Sequence, residues 1–123
     1  MAISYFGGVR ETYQTGQTSE PTNYPASTAA QDLGLAINGL YEDANTLNSE
    51  LADSINQSYT EFLSEWYGPD NGKEIQLNIA RKLLVGSDTA PTWSWTGNHD
   101  GYGGMVVFRA TDQTTPVADT QFN

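Results

Sequence analysis

Apolar residues between positions 33 and 66 recur every three or four places. Leu33, Ile37, Leu40, Ala44, Leu47, Leu51, Ile55, Tyr59, Phe62 and Trp66 form one stripe when the segment is wound as a helix. Glu42, Asp43, Asn45, Asn48, Glu50, Asp53, Asn56, Gln57, Glu61 and Glu65 fill the other faces. The pattern is a heptad repeat with one additional four-residue step around Leu51 to Tyr59. Its mean of about 3.67 residues keeps such a seam nearly straight. Thr28 and Gln31 have the spacing of a capping box, and Gly68-Pro69 supplies a stop. The spacing therefore predicts one long helix over about 28–67, roughly 58 Å in length. Gly34 and Gly39 weaken its first third, so a break near Asn38-Gly39 is compatible with it.

A second pattern follows the turn "GPDNG". Asn71 and Glu74 are placed as a cap, Ile75, Ile79 and Leu83 repeat every four residues, and Gly86 ends the run. This predicts a short helix over about 72–85, although Ile75, Leu77 and Ile79 also alternate as in a strand. From residue 87 the period changes. "TWSWTG" alternates and "GMVVFRAT" is apolar and β-branched, with the glycine-rich "GNHDGYGG" between them, which predicts a small C-terminal β-hairpin. Residues 1–26 read as an extended arm, because Pro21 and Pro25 oppose a helix and "RETYQTGQTSEPTNYP" has no apolar period. Tyr5, Phe6, Tyr13 and Tyr24 are the residues with which such an arm would dock. The expectation is an α+β chain in three parts: an arm over 1–26, a helical oligomerisation region over 27–86 and a β module with a polar tail over 87–123.

Composition narrows the function. Fifteen acids stand against five bases, for a formal net charge of −10 at pH 7. Such a surface repels phosphate backbones and anionic lipid, so neither nucleic acid nor a membrane is an expected partner. No apolar run reaches membrane-spanning length. The chain has no cysteine, which removes thiolate chemistry and disulfides. Its single histidine, His99, lies in the glycine-rich loop beside Asp100, with no second ligand or nucleophile at a recognised spacing. No catalytic residue, metal site or cofactor is expected. Trp93 and Trp95, one residue apart, with Tyr102 beyond them, are candidates for an aromatic platform that would stack on a sugar ring.

Two resemblances bear on function. "EWYG" places Trp66-x-Gly68 between two predicted helices, which is similar to the W-x-G helical-hairpin proteins exported by type VII secretion; that resemblance would imply a secreted, antiparallel helical pair. In overall character the chain resembles accessory structural proteins of tailed bacteriophages and related viruses: fibre, neck and capsid-decorating proteins. The likeness lies in the Thr/Gln/Pro-rich arm, the long oligomer-building helix, the glycine-rich β part and the scarcity of lysine. It implies a non-enzymatic virion component, self-associated through a coiled coil, with a trimer as the simplest count, and docked on a larger scaffold by its arm. A glycan-binding tip is the other reading.

Overall fold

Seven strands and no helix make up the described part of the chain. The structure is a computed structural model that describes residues 4–11, 14–42, 53–70 and 73–109. In chain order the strands are β1 (Ser4–Arg10), β2 (Gln14–Pro21), β3 (Leu33–Glu42), β4 (Asp53–Ile55), β5 (Thr60–Asp70), β6 (Lys73–Leu83) and β7 (Thr92–Arg109). All pairings are antiparallel, in one sheet of order β1-β7-β3-β6-β5. β2 and β4 also pair with β7. Gly101 of β7 has Gln14 on one side and Leu40 on the other, and Ser94 has Ser19 and Ser54. β2 therefore continues the lane of β1, and β4 continues the lane of β3.

The expected α+β architecture is replaced by an all-β one. The long helix over 28–67 is absent; its residues supply β3, β4 and much of β5. The short helix over 72–85 is β6, and the C-terminal hairpin is the single 18-residue strand β7. With no helix among the described residues, neither the coiled coil nor the W-x-G helical pair is supported. The physical reason is visible in β3. A strand with apolar residues on both faces offers them at many spacings, including three and four. Leu33 and Ile37 lie on one face of β3 and Leu40 on the other, so the helical stripe joined residues that point in opposite directions. The two glycines that would weaken a helix have definite places in the sheet. A Cβ at Gly34 would lie 2.6 Å from the Tyr59 hydroxyl, and one at Gly39 would lie 2.8 Å from the Tyr102 ring.

One face of the sheet, the inner one, carries the core: Ala36 and Leu40 of β3, Ala80 of β6, Met105 and Val107 of β7, with Leu84, Tyr59, Trp93 and Trp95 packed among them. β7 reaches this core twice, because it bends. Trp93 pairs with Ile55, and only four residues beyond Ile55 the Tyr59 hydroxyl touches the Met105 sulfur at 3.8 Å. A straight strand would separate Trp93 from Met105 by roughly 40 Å. Gly97, at φ +87°, allows the bend. A clasp closes the other end. Arg109 donates from Nε and Nη2 to the two carboxylate oxygens of Asp32 at 2.8 and 2.7 Å, and its guanidinium lies 3.8 Å from the centre of the Phe6 ring. The first and last strands are thus tied to the start of β3. This arrangement draws residues from all three expected parts of the chain into one sheet.

Candidate functional site

The face of the sheet opposite the core has an unusual composition. In β6, Glu74, Gln76 and Asn78 are fully buried, while Ile75 between them is 50% exposed and Leu77 and Ile79 are partly exposed. A half-buried strand normally places its polar residues in water and its apolar ones inside. β6 does the reverse. Register extends the apolar rows sideways. Ile79 sits beside Leu63 and Ile37; Ile75 sits beside Tyr67 and Tyr41. Leu35 sits beside Val106, and Leu33, itself buried at 4% exposure, closes the row beside Leu83 and Phe108. Tyr5 stacks edge-on against Phe108 with ring centroids 6.2 Å apart. Tyr5, Tyr67 and Tyr102 remain 66%, 68% and 45% exposed. The outer face is thus a five-lane apolar surface, levelled in its middle by Gly8, Gly39 and Gly104. Tyr102 lies flat over Gly39, where any side chain would displace it.

The polar residues displaced inward form a cluster. Asn78 Oδ1 accepts from Ser64 Oγ at 2.9 Å and from Gln76 Nε2 at 3.1 Å, and Gln76 reaches toward Asp53 at 3.5 Å. Asn38, directly across from Asn78 in the ladder, is fully buried, and neither atom of its amide has a hydrogen-bond partner among the described residues. Trp66, next in register to Gln76, likewise has no partner for its indole N–H among them. The inner face is therefore apolar at the end that holds Trp93 and Met105 and amide-rich at the end that holds Gln76.

A cavity of about 160 Å³ opens elsewhere, lined by Tyr24, Pro25, Ser27, Thr28, Leu84 and Asp88. Its one carboxylate is already engaged. Asp88 accepts from the amides of Val85 and Gly86 and pairs with Lys82. Burial works to raise its pKa, but these donors outweigh it and hold Asp88 below the usual carboxylate range. The Tyr24 hydroxyl, behind the cavity, lies 3.0 Å from that of Tyr59, and burial pushes both phenols up.

The residues singled out in the sequence are dispersed. Of the expected seam, Leu33 and Ile37 lie toward the outer face, Leu40 and Tyr59 are in the core, and Ile55 packs against it. Phe62 and Trp66 belong to β5, and Ala44, Leu47 and Leu51 lie outside the described residues. Of the arm, Tyr5 is exposed on the outer face, Phe6 and Tyr24 pack against the core, and Tyr13 lies outside the described residues. The three platform residues do not share a surface. Trp93 and Trp95 are 0% and 7% exposed within the core, and Tyr102 is on the opposite face. His99 is buried on the inner side of β7 beside Gly97. Leu35, Tyr67, Ile75, Leu77 and Val106, which carry most of the outer face, were not singled out. The alternation of Ile75, Leu77 and Ile79 was the signal for them.

No protein-family model, curated protein or solved structure matches the chain. What the molecule does has to be argued from its surfaces.

Proposed function

We propose that the chain is a non-enzymatic structural subunit of a large protein assembly of the virion type, docked through the outer face of its sheet. The observation that carries this reading is the reversal in β6, where Glu74, Gln76 and Asn78 are buried and Ile75, Leu77 and Ile79 face outward. Burying carboxylate and amide groups is unfavourable unless they are fully paired. Leaving Tyr5, Tyr67, Ile75 and Tyr102 exposed, with partly exposed Leu, Ile and Val between them, is unfavourable as well. Both costs arise from one register, because a shift of one residue would exchange the two sets. A chain that keeps this register has a use for the apolar face, and contiguous apolar patches of this kind mark contact surfaces. The virion setting is supported by sequence character alone: the Thr/Gln/Pro-rich first segment, the scarcity of lysine and the absence of cysteine.

The test is to fractionate extracts of the native source on a density gradient and follow the protein that contains this chain. It should sediment with particles far larger than its own mass, and leave them when the outer face carries Ile75→Lys. Recovery solely as a small free species would overturn the reading.

A further inference from the structure

We infer that the outer face takes a second copy of this chain, sheet against sheet, as the first contact of the proposed assembly. The inference rests on the reading of that face as a docking surface and names its occupant.

Charge decides between occupants. The chain has a net charge of −10, so two copies repel one another through most approaches. The outer face is the exception. Among the described side chains, the register places Arg81 and Arg10 on it, and also Glu65 and Asp100: two of each sign. Arg10 and Arg81 are two of only five basic residues in the chain. Of the others, Lys82 is paired with Asp88 and Arg109 with Asp32. A basic partner would be matched by an acidic rim around an apolar patch, and this face has no excess of acid. A neutral apolar face on an acidic chain fits its own copy, because each copy brings both signs and no uncompensated charge is buried.

Geometry agrees. Four strand spacings of about 4.8 Å and the eight spacings of about 3.3 Å between nine residues give a footprint of roughly 500 Å² per copy. Two such footprints come to about 1,000 Å², the lower bound for a specific interface and the range of reversible association. Facing sheets pack about 10 Å apart with their strands within about 30°. The glycines at positions 8, 39 and 104 leave the centre low enough for side chains of a partner sheet to enter.

Sedimentation velocity on the purified 123-residue chain, from about 1 μM to 1 mM, tests this. The expected result is a reversible monomer–dimer equilibrium that tightens as salt is raised, since salt screens the overall repulsion while the contact itself is apolar. Tyr67→Ser combined with Ile75→Lys should abolish the dimer and leave the far-ultraviolet circular dichroism unchanged, because both side chains are at least half exposed. A chain that stays monomeric throughout the range overturns the inference. So does a dimer that survives the double variant, which would place the contact at the β5 edge or elsewhere. A monomer in this measurement that nevertheless sediments with large particles in the source extract would end the inference alone. Failure to sediment with such particles would end the assembly reading and leave the dimer standing.

Discussion

Glu20 shows how a single side chain can work against the fold. It is 3% exposed beside Gly103, and burial, helped by the neighbouring charge of Glu11, raises its pKa. A raised folded pKa means that no penalty exists below the unfolded value, about 4.3, and that stability falls as pH rises above it. Glu20→Gln should therefore raise the melting temperature at pH 7 and give no gain near pH 3, as followed by circular dichroism. Asp32 has the opposite sign. The Arg109 guanidinium holds its carboxyl below the usual range, against the effect of burial. Its contribution is present above the ordinary carboxylate pKa and disappears as pH falls through the lowered one. The two residues thus shape the acid limb in opposite directions. Neither role was legible in the sequence, where Asp32 falls inside the expected long helix and Glu20 inside the expected extended arm. A carboxylate reveals its burial only when its neighbours are known.

At the scale of the element, β7 depends on its bend. Gly97 holds a left-handed φ of +87°, and a Cβ there would come within 2.8 Å of the His99 imidazole. Gly97→Ala should destabilise the protein by about 1–2 kcal/mol from the backbone alone, measured as a lowered urea midpoint. The strand character of residues 92–109 was legible in "TWSWT" and "MVVF". Its continuity was not, because three glycines between His99-Asp100 and Met105 read as a loop when they are in fact places where other groups approach closely. Gly101 lies against the Gly39 carbonyl and the Leu40 side chain, and Gly103 against Glu20 and Thr22. β5 and β6 held a plainer signal. Asp70 pairs with Lys73, and the two residues between them, Asn71-Gly72, are the commonest two-residue hairpin dipeptide. The four-residue repeat of Ile75, Ile79 and Leu83 outweighed it. That repeat is also present in a strand whose outward residues run Ile75, Leu77, Ile79, Arg81 and Leu83. The reversed face made the error easy, since buried Gln76 and Asn78 look like a solvated side in any reading that assumes polar residues face water.

Across the whole molecule, the hub is the element that comes last among the described strands. β7 pairs with β1, β2, β3 and β4, and only the ladder β3-β6-β5 assembles without it. A chain ending at Pro91 should therefore keep at most the three-stranded ladder β3-β6-β5, stripped of Trp93, Trp95, Met105 and Val107 of the core, and show a weaker strand signature in circular dichroism and a lower melting temperature; a fragment that melts as cooperatively and as high as the full chain would show that β7 is not the hub. The candidate face was legible only in outline. A helical period assigned the apolar stripe to Leu40 and Tyr59, which the sheet buries, and passed over Tyr67 and Ile75, which it exposes. Placing β7 at the centre also has a consequence for manufacture. On a ribosome β3, β5 and β6 can pair with one another as they emerge, but β1, β2 and β4 find no ladder to join, and the apolar residues that β7 covers must wait until residue 109 clears the exit tunnel. Such a chain carries unpaired strands through much of its synthesis, and slowing translation over its final third should lengthen the interval in which it can go astray.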